Sequence, residues 1–461
     1  MKNTKSAWEC LSKDSATDLE KYSREYMRFL DNSKTERTCA AEIVAYAEKN
    51  GYLLLDNLIK KGERVTPGTK VYAVNHHKSV FMFVMGDQDL ENGFNLVGSH
   101  IDSPRLDLKP NPLYEEGNMA MFKTHYYGGV KKYQWATIPL ALYGVAFNEA
   151  GEKIEIALGD KEGDPVFFIN DLLIHLSSDQ LQLKAADVIK GEQLNVVVGS
   201  RPFKNEESES KEFIKDGVLD ILKNKYGLTE KSFLTAEFEI VPAGKALEVG
   251  FDRSMIASYG QDDRVCAFAS LKAILDIEKP DKAAVAVFMD KEEVGSNGNT
   301  GMESKFLEDC LAEIIHLNGG YSEIKLRRAF RNSQVLSADV NCCLDPNFPE
   351  ATEKNNTALL GNGVTLTKYT GARGKGGCND ANAEFMFSVS KTFDENEVVW
   401  QTGELGKVDQ GGGGTIAYIL ANLGAQVIDC GTPVLSMHAP YELVSKVDAF
   451  MTYKAYYHFS K

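Results

Sequence analysis

The sequence predicts an α/β protein whose main domain, built on a mixed sheet, is discontinuous along the chain and interrupted by a β-rich insertion. Three observations predict it. Apolar runs of strand length alternate with helix-period segments before about residue 110, and the same alternation returns after residue 245. Between them the text reads mainly as strands and turns. The chain of 461 residues, 43% apolar and 25% charged, is also long enough for more than one hydrophobic core. The expected segments are 1–110 and 245–461 for the main domain and 111–244 for the insertion.

Taken in order, Ala40, Ile43, Val44 and Ala47 recur at helical spacing, with Thr35 placed to cap the start and Gly51 to follow the end. Two apolar runs, Val71 to Val74 and Val80 to Met85, flank Asn75-His-His-Lys-Ser79 and read as a hairpin. A third run, Phe94 to Ser99, ends at His100, after which Pro104, Pro110 and Pro112 mark a change of character. The insertion shows strand patterns at Thr137 to Phe147, Lys153 to Leu158 and Glu237 to Val241, with one helical stretch near Phe213 to Lys225. Helices are expected again at Arg264 to Leu275, Lys305 to Leu317 and Thr415 to Leu423.

Composition excludes several classes. A net charge of −15 repels nucleic-acid phosphates and anionic lipid at long range, so neither is an expected partner. No stretch approaches the roughly 18 uninterrupted apolar residues of a membrane helix, and the polar start at Met1 is no secretory leader. The eight cysteines are scattered without a C-x-x-C pair, which predicts reduced thiols and a cytoplasmic protein.

The informative pattern is where acids and histidines fall. Four apolar runs end in a metal-type ligand: Asn95 to His100, Ala283 to Asp290 followed by Glu292 and Glu293, Ser333 to Asp339, and Pro433 to His438. Strand ends converge at one crevice in open α/β sheets, so these tips are expected to meet. Asp262 and Asp263 open the helix near Arg264 and add a fifth group. Asp, Glu and His without cysteine suit zinc, with manganese or cobalt as alternatives. Two ions about 3.5 to 4 Å apart need a bridging carboxylate and two further ligands each, and His100, Asp262, Glu293, Asp339 and His438 supply that number. Glu292, beside a ligand, is placed to take a proton from water, and Asp102, two residues past His100, to accept the imidazole's other N–H.

The strings Gly98 to Pro110, Gln261-Asp-Asp-Arg264, Asp290 to Ser296, Ser337 to Val340 and Ser436-Met-His438 resemble, in order, those of the aspartyl aminopeptidases and vacuolar aminopeptidase I, co-catalytic zinc exopeptidases, and look closest to the bacterial branch. The resemblance implies removal of N-terminal residues from short peptides. It implies that His100 and Asp339 bind one metal, Glu293 and His438 the other, and that Asp262 bridges them. Glu292 would be the general base and Asp102 the partner of His100. His175 would reach a neighbouring subunit's site to steady an oxyanion. It also implies a tetrahedral dodecamer of dimers, with the insertion as dimerisation domain. Lys368 matches the lysine that meets a substrate carboxylate in acid-preferring members. The following Gly371 to Gly377 string departs from the animal members, so an acidic first residue stands beside a neutral, leucine-type one.

Other residues carry plainer expectations. His76 and His77 read as a solvated turn, and His125, His316 and His458 receive no role. Neither Gly371 to Gly377 nor Gly411 to Gly414 fits the P-loop pattern G-x-x-x-x-G-K-[ST]. Two other functions remain: a di-zinc deacylase of N-acyl amino acids, and a self-assembling scaffold with a vestigial site.

Overall fold

The computed structural model describes residues 5–203, 211–371 and 373–461; of the sequence features above, Met1 to Thr4 and Ala372 of the glycine-rich string lie outside the described residues. The chain divides into two compact units. The first comprises the segment up to Ser103, Ala246–Met437 and Glu442–Lys461; the second comprises Pro104–Lys245 with His438–Tyr441.

A nine-stranded mixed sheet runs through the first unit in the spatial order Leu53–Leu54, Lys70–Asn75, Ser79–Val84, Ala283–Met289, Phe94–His100, Gln334–Ser337, Gln426–Gly431, Val364–Thr367, Trp400–Thr402. Four neighbouring members, from Ala283–Met289 to Gln426–Gly431, are parallel and deliver their carboxyl ends to one edge. Every residue of Ala283–Met289 is buried, because helices cover both faces of the sheet. Ala284, Ala286 and Phe288 enter one core while Val285, Val287 and Met289 enter the other.

The hairpin forms as expected, Lys70–Asn75 pairing antiparallel with Ser79–Val84. Thr35 caps Glu36–Lys49 by accepting the Thr38 N–H. The helix Gln261–Asp276 is apolar on nearly every side and is buried accordingly, its regular turns starting after the non-helical Asp262 and Asp263. It packs on a C-terminal helix, Lys446–Ser460, that periodicity did not reveal. That helix is also buried on several faces, so no polar stripe marks it.

The second unit is built on a six-stranded sheet, antiparallel throughout, in the order Lys153–Leu158, Leu140–Phe147, Glu237–Pro242, Arg105–Glu116, Met119–Tyr127, Val196–Gly199. Residue 111 falls inside the strand Arg105–Glu116. Pro110 and Pro112 sit where its pairing register shifts between Leu108 and Leu113, a bulge that tolerates residues without an N–H. All eight cysteines are free thiols. No helix among the described residues is long and apolar enough to cross a membrane.

Candidate metal centre

The carboxyl edge of the four parallel strands gathers the acids. His100 closes its strand opposite Met289, and Gln334–Ser337 runs in register with the same strand, so that Asp339 follows two residues past its end. After Met289 the chain passes Asp290 and turns at Lys291, in the left-handed region at φ 70, into the short turn Glu292–Val294. A side chain in that conformation costs on the order of 1 kcal/mol, which the packed surroundings must outweigh.

His100 is buried, 2% exposed. Its Nδ1 lies 3.0 Å from the Asp102 carbonyl oxygen and 3.3 Å from Asp102 Oδ1. A carbonyl only accepts, so Nδ1 carries a proton; Nε2 faces Asp262 Oδ1 at 3.2 Å and Asp339 Oδ1 at 3.9 Å, carboxylates that it can meet as a donor when protonated or across a shared cation when neutral. The Asp102 carboxylate meanwhile accepts the backbone N–H of Glu292 (3.1 Å) and of Glu293 (3.2 Å). One residue therefore orients the imidazole and fixes the turn that carries both glutamates.

Potential ligand atoms of His100, Asp262 and Glu293 lie within 4.8 Å of one another, and so do those of His100, Glu292 and Asp339. Two overlapping trios share one imidazole. Burial disfavours a charged His100, yet hydrogen bonds to Asp102 and Asp262 and the charges of Asp339 and Glu292 outweigh it and push the pKa well above the ordinary value. Burial likewise drives the Asp339 carboxyl well above its usual range; His100 opposes this, while Glu292, Asp262 and Asp263 add to it. One imidazole among this many crowded carboxylates is a donor set that divalent cations fit, since their charge offsets the repulsion.

Surrounding residues hold the cluster in place. The Asp262 N–H donates to Glu442 Oε2 at 3.0 Å, and its carbonyl accepts the Ser103 hydroxyl at 2.5 Å. Arg264, 1% exposed, donates to Ser103 Oγ and to the carbonyls of Gly260, Lys34 and Ile101, tying the segment after His100 to the segment before Asp262. Asp290 accepts the Thr300 hydroxyl at 2.6 Å, and its N–H donates to Ser79 Oγ. Burial, with Glu36 and Asp102 nearby, pushes the Asp290 carboxyl up to about 7.

The other three expected residues are positioned by other elements. The run ending at His438 belongs to a separate five-stranded sheet rather than the nine-stranded one. Its strand stops at Leu435, and Ser436 (φ 60) and His438 (φ 66) beyond it are left-handed. His438 lies in the second unit, its Nδ1 2.9 Å from the Gly129 carbonyl oxygen, which again leaves Nε2 as the ligand-type nitrogen. His175 sits in an exposed turn, Ile174–Leu176. Lys368 directly follows the strand Val364–Thr367, and its Nζ is 3.3 Å from Asp380 Oδ1.

Sequence reasoning missed the structural parts of the site. Arg264 was visible in the Gln261-Asp-Asp-Arg264 string as a charge opening an apolar helix, a pattern that asks for buried acceptors. Glu442 gave no signal, because its contact with Asp262 spans 180 residues.

A fold that collects an imidazole and carboxylates at the carboxyl edge of an α/β sheet is suited to metal-assisted hydrolysis. The sequence pattern of the aminopeptidase I zinc metalloproteases (M18) matches residues 29–460, and the chain belongs to this family. A probable M18 family aminopeptidase 1 from Clostridium acetobutylicum is 50% identical over 456 residues, 99% of this chain and 98% of that protein. The crystal structure of an M18 aminopeptidase from Thermotoga maritima is similar with a TM-score of 0.94 at 45% identity, covering 99% of both chains. Aminopeptidase I from Clostridium acetobutylicum gives 0.94 at 45% identity over 100% of both. The chain is accordingly a metalloaminopeptidase.

Proposed function

We propose that this chain releases single residues from the amino ends of short peptides at a site for two divalent cations, zinc by the donor set. The observation that carries this reading is the pair of overlapping ligand trios around His100. Following the resemblance, His100 and Asp339 would hold one cation and Glu293 a second, with Asp262 shared between them. His438 completes the second set on the sequence pattern alone. Bound there, the cations would supply Lewis-acid polarisation of the scissile carbonyl and lower the pKa of a water at the site toward about 7.

The side chains do the rest. Glu292, one residue from a ligand and fixed by its own N–H on Asp102, takes the proton from water and returns it to the leaving amine, a shuttle worth roughly 100-fold to 10,000-fold. Asp102 keeps His100 in the tautomer that ligates through Nε2. His175 acts on an oxyanion in a neighbouring copy. It stands on an exposed turn flanked by Leu173, Ile174 and Leu176, which are 53%, 68% and 67% exposed. Such a run on a soluble protein marks a contact surface and supports a homo-oligomer, a dodecamer of dimers in which the second unit dimerises. The setting is cytoplasmic.

Aminoacyl anilides and N-acylated controls, assayed on the zinc-loaded protein, test the reading. Cleavage of the free-amine substrates alone is expected. Turnover of the acylated set instead would make the chain a deacylase, and turnover of neither would leave the scaffold reading.

A further inference from the structure

Lys368, the residue assigned to meet a substrate's side chain, already has a carboxylate. Asp380 places Oδ1 3.3 Å from Lys368 Nζ and Oδ2 2.8 Å from Lys375 Nζ. The arrangement is built by the backbone, for Tyr369 and Asp380 form an antiparallel bridge and the Ala381 N–H donates to the Lys368 carbonyl at 2.9 Å. Lys375 Nζ stands 3.9 Å over the Tyr369 ring, and the Tyr369 hydroxyl donates to Glu404 at 2.7 Å, which fixes the far side of the clasp.

The clasp is also attached to the metal centre. Asn341, two residues past Asp339, donates its side-chain amide to Thr367 Oγ1 at 2.7 Å, immediately before Lys368. On its other side the Gly371 N–H donates to the Gly413 carbonyl at 3.0 Å, joining the two glycine-rich loops. Both lysines hold the Asp380 carboxyl below the usual carboxylate range, Lys375 most strongly, so it is charged at neutral pH.

We infer that Asp380 is an internal counter-ion, shared with Lys375, that offsets the charge Lys368 presents at the first side-chain subsite, and a specificity-determining residue that so selects N-termini with uncharged side chains. This rests on the reading of the chain as an aminopeptidase with Lys368 at that subsite. A substrate carboxylate would have to displace Asp380 and leave it beside a second negative charge, whereas a neutral side chain leaves the pair intact. The pair is partly exposed, with side chains 43% and 46% accessible, so solvent screens it and the discrimination is modest.

The test compares kcat/KM for Asp-, Glu-, Leu- and Met-anilides on zinc-loaded, full-length protein, in the unaltered chain, Asp380→Asn and Asp380→Asn/Lys368→Met, each checked for an unchanged melting curve. The unaltered chain is expected to prefer Leu and Met. Asp380→Asn should raise the acidic-to-neutral ratio about fivefold, as expected for an exposed ion pair, and the second substitution should abolish the gain. An unaltered chain that already prefers Asp or Glu, a ratio that Asp380→Asn leaves in place, or a gain that survives Lys368→Met each overturns the inference. Failure of all three proteins on every free-amine anilide would instead remove the aminopeptidase reading beneath it.

Discussion

Asp102 binds the two halves of the metal centre together: its carbonyl faces His100 Nδ1 at 3.0 Å while its carboxylate accepts the Glu292 N–H at 3.1 Å. The first contact is local, and the second spans 190 residues of chain to the same residue. A change at Asp102 therefore perturbs the imidazole and the glutamate turn at once.

Asp102→Asn keeps the shape but offers one acceptor oxygen where two backbone N–H groups now bind. Zinc affinity or kcat is expected to fall roughly 10-fold to 100-fold, the usual cost of losing a residue that orients a metal ligand. Equilibrium dialysis against zinc, alongside kcat, measures it. Full affinity with full turnover would reduce Asp102 to a packing residue.

Glu292→Gln should retain metal content and lose most turnover, by about 100-fold to 10,000-fold, because an amide cannot accept the proton. Metal analysis and single-turnover kinetics separate the two effects. Activity within a few-fold of the unaltered protein would remove Glu292 as the base.

Arg264→Met strips donors from Ser103 Oγ and from three buried carbonyls. A destabilisation of about 3 kcal/mol or more is expected, since hydrogen bonds to a charged group contribute about 1.5 to 3 kcal/mol each and the acceptors stay buried. Arg264→Lys should recover only part of it, lacking the planar fork. Chemical denaturation reads both.

Asp429 gives a pH prediction. Its Oδ1 accepts the Thr415 hydroxyl at 2.6 Å, and burial raises the carboxyl to about 6, opposed by the Thr415 and Ser337 hydroxyls. The folded chain thus holds a proton that the unfolded chain has released, from about pH 4 to about 6. This group's contribution to stability is present at low pH and is lost as pH rises through that window. Asp429→Asn cannot titrate, so its melting temperature relative to the unaltered chain should be higher at pH 7.5 than at pH 4.5. A difference that does not change with pH would mean Asp429 titrates alike in both states.

Much of the site was legible in the sequence, because a ligand at the end of an apolar run is a local pattern that strand geometry projects to a sheet edge. His100, the Glu292-Glu293 pair and Asp339 follow that rule, and Asp262 follows from the helix start at Arg264. The same rule misplaced the run ending at His438, since an apolar strand does not record which sheet it joins. Helix Lys446–Ser460 was hidden for the opposite reason: burial on several faces removes the polar stripe that periodicity depends on.

By itself the sequence determined the hairpin, the capped helix Glu36–Lys49, the acid and imidazole inventory and the chemistry that inventory allows, because each depends on spacings of a few residues. Tertiary structure alone decided that the Asp102 carbonyl and carboxylate serve different partners, that Arg264 bonds four separate acceptor groups, and that Lys368 is paired with Asp380. Those contacts join residues whose separation in the chain says nothing about their distance in space, so only the packed fold can choose among the partners that local chemistry permits.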